Sequence, residues 1–233
     1  MKKSVQFGSE VIEYDLIFAN RKTLGITVRP DRSVLVKAPE GSSLQKVDEK
    51  LRKKAPWILR QKQHFLSFEP RITQRKYVSG EEVLYLGRQY QLQLIKANKE
   101  GVKYEGKFIK VYTHDFDKDN VKRILDAWYR DKAEKWFFQL AKPWVNKFET
   151  FNVSPKNIEL KNMKYRWGSC SAKGRVLLNP ELIKAPKPCI EYVIVHELCH
   201  LVHYGHTKDF FDLQNKVMPD WEKWKNKLEN LLA

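Results

Sequence analysis

Three observations place the 233-residue chain in the α+β class. Apolar and polar residues alternate with a period of two through most of the first half, interrupted by helical spacing over residues 42–66. From residue 117 onward the apolar residues recur every three or four positions instead. The stretch at residues 191–206 reads E-Y-V-I-V-H-E-L-C-H-L-V-H-Y-G-H and holds four of the six histidines. The expected organisation is an N-terminal antiparallel β-rich region over residues 1–116, followed by a mainly helical domain over residues 117–233 with a short β-hairpin.

Residues 11–36 open the chain as a small antiparallel sheet. Tyr14, Leu16 and Phe18 share one face, Leu24, Ile26 and Val28 repeat the pattern, and Pro30-Asp31 supplies turn chemistry. Gly41-Ser42-Ser43 then caps a helix with Leu44, Val47, Leu51 and Ile58 on its apolar side. Pro56 is expected to break or bend that helix, unless it opens a second one. Trp57, beside the basic run Arg52-Lys53-Lys54, is expected to be buried, stacking on a nucleic-acid base being the functional alternative. Residues 77–113 read as a β-meander extending the first sheet, and no internal repeat is visible. Val121, Ile124, Leu125, Trp128, Ala133, Phe137 and Leu140 mark a long amphipathic helix closing at Lys142-Pro143. Residues 158–171 read as a strand entering a small-residue turn, and residues 174–179 as its hairpin partner. Pro186 and Pro188 open the histidine-bearing helix, and two shorter amphipathic helices follow.

Composition narrows the setting. The chain has no long apolar run, so neither a signal peptide nor a membrane span is expected. Cys170, Cys189 and Cys199 are odd in number and lack C-x-x-C spacing, which fits a reducing, cytoplasmic compartment better than a disulfide framework. The net charge of +16 invites a polyanion such as nucleic acid. The basic excess is seven over residues 1–66, two over 67–117 and seven over 118–233, a spread that a solvated basic surface would also give.

The chemistry concentrates in H-E-L-C-H, residues 196–200. On a helix, residues four apart lie one above the other, so His196 and His200 present both imidazoles to one metal ion. Glu197 is turned about 100° around the axis. Its carboxylate then stands beside the metal's open position, where it can act as general base on a metal-activated water. A catalytic zinc takes three protein ligands. His203 lies about 10 Å along a continued helix from His196, whereas Gly205 is suited to a left-handed turn that would bring His206 back to the metal. His206 is favoured as third ligand over Asp209, Asp212 or Glu222. His203 is left as a residue near the metal, a substrate contact or a surface histidine, and Cys199 as core packing.

Arg166-Trp167-Gly168-Ser169-Cys170-Ser171, Leu177-Leu178-Asn179-Pro180-Glu181-Leu182 and His196-Glu197-Leu198-Cys199-His200 with His206 resemble the YgjP-like metal-dependent hydrolases, relatives of the SprT group of zinc metallopeptidases. The resemblance implies a minimal zincin-like fold, with His196, His200 and His206 as ligands of one zinc or other divalent ion and Glu197 as general base. The glycine position of the longer metzincin pattern is His203 here, which argues against that group. The implied activity is that of a peptidase whose extended substrate pairs with residues 165–170, with Arg166, Ser169 and His203 as candidate substrate contacts. The alternative is a nucleotide pyrophosphatase acting on UTP, with Arg166, Lys173 or Arg175 holding phosphates. A third reading is a nucleic-acid-associated protease or binding module recruited by its basic surface.

Overall fold

The computed structural model describes residues 1–8, 10–29, 33–66, 75–163 and 166–232, the side chains of 63–66 excepted. The turn expected at residues 30–32 lies outside them, as does Tyr165. The chain divides into two compact units, residues 1–72 and residues 73–232.

The first unit is a four-stranded sheet, β1 (Lys2–Phe7), β2 (Glu10–Ala19), β3 (Gly25–Val28) and β4 (Val34–Pro39), with α1 (Leu44–Leu66). The strand order is β1-β2-β4-β3, and β2 pairs with β4 in parallel, so the sheet is mixed rather than antiparallel. Ile12, Tyr14 and Leu16 alternate into the core against Val34, Val36 and Ala38. Val47, Leu51, Ala55 and Ile58 of α1 are fully buried and close that core. The Tyr14 hydroxyl donates to Asp48 Oδ1 at 2.7 Å, which pins the helix to β2. The helix passes uninterrupted through Pro56. An interior proline costs about 3 kcal/mol, and burial of Leu51 on one side of it and Ile58 on the other offsets that cost, at about 1.5–3 kcal/mol per large apolar side chain.

The second unit begins with a sheet of its own, β5 (Glu82–Tyr85), β6 (Arg88–Lys96), β7 (Gly101–Glu105) and β8 (Phe108–Thr113). Its order, β5-β6-β8-β7 with β6 and β8 parallel, repeats the topology of the first. Two side-by-side hairpins followed by a helix therefore occur twice in the chain, where the sequence suggested one extended meander and no repeat. The long helix α2 (Lys118–Glu149) starts at Asp117, whose side chain accepts from the Asp119 amide at 2.9 Å. It runs through Pro143 instead of stopping there, held by Phe137 and Ala141 before the proline and Phe148 after it. Strands β5–β8 share one apolar core with α2 and all the helices that follow, whereas the sequence suggested a boundary near residue 116. The Tyr129 hydroxyl donates to the Leu84 carbonyl at 2.8 Å, and Trp136 Nε1 to the Tyr85 hydroxyl at 3.0 Å.

A three-stranded sheet follows, β9 (Asn157–Leu160), β10 (Gly168–Cys170) and β11 (Arg175–Leu178), in the order β10-β11-β9. The pair β10–β11 is the expected hairpin, and β9 is a separate strand parallel to β11. A short 3-10 turn at Pro180–Lys184 leads into α3 (Lys187–Val202), α4 (Lys208–Val217) and α5 (Trp221–Leu232). The β5–β6 turn anchors the start of α3. Leu86 and Gly87 amides donate to the Ile183 and Lys184 carbonyls at 2.9 and 3.0 Å, and Gly87, at φ +77°, lies so close that a Cβ there would meet Pro186 Cγ at 2.5 Å. Val193, Ile194, Val195 and Leu198 are buried, which fixes the rotation of α3 and hence the direction of its histidines.

Candidate metal centre

His196, Glu197 and His200 leave the C-terminal half of α3, His200 from its last turn, and His206 arrives from the segment joining α3 to α4. One ring nitrogen from each of His196, His200 and His206 lies within 4.8 Å of the others. The Nε2 atoms of His196 and His206 are 3.1 Å apart. Two ligands of a tetrahedral zinc, each about 2.0–2.1 Å from the ion, would lie about 3.3 Å apart. Both helix histidines have their other ring nitrogen engaged. His196 Nδ1 is 3.1 Å from Gln214 Oε1, and His200 Nδ1 is 3.3 Å from the His203 carbonyl. Each Nδ1–H donates, which leaves Nε2 unprotonated and directed to the common point. The donor set therefore fits a divalent ion with a preference for nitrogen ligands. The fully buried Phe210 of α4 packs against all three rings, at centroid distances of 5.1, 4.7 and 4.8 Å.

Burial holds His196 neutral: its pKa is lowered to about 4, chiefly by desolvation, with His200 adding a smaller repulsive contribution. His200 is lowered as well, again chiefly by desolvation. Glu197 is 5% exposed, and desolvation raises its carboxyl to about 8 against the opposing pull of Arg166 and of the Cys170 amide, which hydrogen-bonds to it. It is set directly against β10. A Cβ on Gly168 would lie 2.6 Å from Glu197 Oε1 and 2.7 Å from its Cγ, so the site needs a residue without a side chain there.

A cavity of about 550 Å³ opens over this group, and Arg166, Ser169 and Tyr204 line it together with the three clustered histidines and Glu197. The His203 side chain is not among its lining residues. His203 instead ends α3 in extended backbone, φ −126° and ψ 112°, donating its amide to Cys199 and accepting from His200. The bend that follows falls at Tyr204 and Gly205, and Gly205 makes it without the left-handed conformation, since it has no positive φ. Cys170 lines the cavity, but burial pushes its thiol up to about 11, and it is outside the histidine cluster. Cys199 is fully buried in the core.

Two residues with a part in this arrangement were not singled out from the sequence. Gln214 is fully buried on the apolar side of α4 with Phe210, Leu213 and Val217, and a polar residue on such a face was the available signal. Asn179 ties down the segment that carries Arg166. Its Nδ2 donates to the Met163 and Arg166 carbonyls at 2.8 and 3.1 Å, and its Oδ1 accepts from the Glu181 amide at 3.2 Å. Of the basic residues named for phosphate binding, Arg166 alone lines the cavity. Arg175 is paired with Glu159 at 2.8 Å.

Among the described residues no helix is long and apolar enough to cross a membrane. No curated protein matches the chain. Comparison with protein families matches residues 22–231 to the YgjP-like family, metallopeptidase domain. With nine-tenths of its length so matched, over a core that gathers three histidines beside a buried glutamate, the chain belongs to the YgjP-like metallopeptidase-domain family.

Proposed function

We propose that the protein is a zinc-dependent peptidase, with one ion per chain held by His196, His200 and His206 and with Glu197 as general base. Zinc bound there supplies Lewis acidity, which makes water acidic enough to be a nucleophile near neutral pH and polarises a carbonyl. Glu197 takes the proton from the attacking water and passes it to the leaving amine, the role its position beside the histidine cluster and its raised pKa suit. Gly168 lets the carboxylate approach, and the Cys170 amide fixes its direction. Gln214 and the His203 carbonyl hold the two helix histidines in the tautomer that ligates through Nε2. Arg166 and Ser169 are proposed substrate contacts.

The observation that supports the peptide reading is the position of β10 at the end of its sheet, where the Cys170 amide already holds Glu197 and the other outward backbone groups of the strand are left for a substrate. Among the described residues this strand ends its sheet and pairs with β11 alone. Trp167 and Ser171 direct their backbone groups toward that partner. The alternation of a strand then turns those of Gly168 and Cys170 outward, toward Glu197. An extended peptide added along this edge lays its carbonyls across the histidine cluster. Cleavage of UTP is less well supported, because among the described residues one arginine is the cavity's only Lys or Arg, little charge for a triphosphate.

The test is a paired screen of the zinc-loaded protein. An unstructured protein substrate should be cleaved, and UTP should release no pyrophosphate above the rate of a His196→Ala control. Pyrophosphate release without peptide cleavage would overturn the reading. In parallel, His206→Ala should lower bound zinc well below one per chain by elemental analysis. An unchanged stoichiometry would remove His206 from the ligand set.

A further inference from the structure

The first unit carries a second cavity, of about 440 Å³, between α1 and the sheet-end strand β3. Leu24, Ile26 and Trp57 form its apolar surface, and Lys50, Lys53 and Lys54 complete its lining. The four helix residues are spaced i, i+3, i+4 and i+7, so they stand on one face of α1. Leu24 and Ile26 are two apart on an extended segment and so face the same way. Trp57 is 38% exposed, against the expectation that it would be buried.

The lysines are exposed, and among the described residues none of the three is paired with a carboxylate. Lys122, Lys135 and Lys184 each have an acidic partner, at Asp126, Asp131 and Glu181. Among the described residues no acidic side chain lines the cavity, and Asp48 nearby is turned to the sheet, where it accepts from Tyr14. Lys46 continues the same face one turn earlier, so the basic stripe and Trp57 together extend about 17 Å along the helix axis.

A ligand for this cleft needs a flat apolar group and several negative charges spaced along a chain. We propose that it binds single-stranded nucleic acid: one base lies on the Trp57 indole against Leu24 and Ile26, and the phosphates on either side are held by Lys50, Lys53 and Lys54. Lysine-lined grooves that follow the backbone, with an aromatic ring offered to a splayed base, are the general means of binding single strands. A duplex keeps its bases stacked and cannot fill the apolar part of the cleft. A free mononucleotide would leave most of the stripe unused.

The test uses the full chain and a fluorescein-labelled oligothymidylate of about 20 nucleotides, followed by anisotropy across a salt series. Trp57→Leu should weaken binding at least about five-fold at fixed salt, with the slope of log K against log salt unchanged. The combined variant Lys50→Gln, Lys53→Gln, Lys54→Gln should flatten that slope by about 2, at roughly 0.7 per phosphate contact. Trp57→Phe, which keeps a ring, should fall between wild type and leucine, and thermal unfolding should show each variant folded. Unlabelled duplex should compete less well than unlabelled single strand. Equal competition by duplex, better competition by polyglutamate, or unaltered binding by Trp57→Leu would each overturn the proposal. Because binding is read without metal, the result is independent of the peptidase reading.

Discussion

At Gly168 the distance from a notional Cβ to Glu197 Oε1 is 2.6 Å, shorter than any real contact, so even alanine must displace the carboxylate or the strand. A displacement of about 1 Å at a catalytic group costs roughly 100-fold in rate. Gly168→Ala is therefore expected to lower kcat/KM about 100-fold while zinc content stays at one per chain. Gly205 provides the contrast. It has no positive φ, and the nearest atom to its notional Cβ is Thr207 Cγ2 at 3.8 Å, so Gly205→Ala should leave zinc binding and unfolding temperature near wild type. The sequence suggested a role for Gly205, because a glycine beside a histidine suggests a turn, and none for Gly168 beyond its place in a motif, because the need there comes from a side chain nearly thirty residues later. Gln214 behaves similarly. Its Oε1 orients His196, while its Nε2 is buried without a partner. Gln214→Leu should weaken zinc about 10- to 100-fold by competition with a chelator. It should not lower the stability of the metal-free protein, since it also removes an orphaned donor worth about 1–3 kcal/mol. A matching loss of apo stability would mean that Gln214 is only a packing residue.

At the level of elements, periodicity located α1, α2 and α3 and the β10–β11 hairpin, since each is written in residues close together in sequence. The His196–Glu197–His200 spacing was legible for the same reason: a helix fixes the relation of residues four apart before any tertiary contact forms. Neither Pro56 nor Pro143 ends its helix, because burial on both sides of each outweighs a local preference. Both prolines are exposed inside otherwise regular helices. Replacing either with alanine restores a backbone donor and should raise stability by about 1–3 kcal/mol in urea unfolding. Destabilisation by Pro143→Ala would show that the ring contributes packing that its exposure does not suggest.

For the molecule as a whole, the α+β class followed from the change of apolar period along the chain. The pairing of strands did not, because order and parallelism depend on contacts far apart in sequence. The twice-used arrangement of two hairpins and a helix became visible only through the sheet orders β1-β2-β4-β3 and β5-β6-β8-β7. It also moves four strands into the unit that carries the histidines, where the β5–β6 turn secures the start of α3. The role of Glu197 is tested most directly by comparing wild type with Glu197→Gln, each loaded with one zinc, on the same unstructured protein substrate. General-base catalysis contributes about 10²- to 10⁴-fold, so cleavage should fall by that order while bound zinc is unchanged. Cleavage that persists in Glu197→Gln at equal zinc would contradict the assignment of Glu197 and, with it, the account of the site.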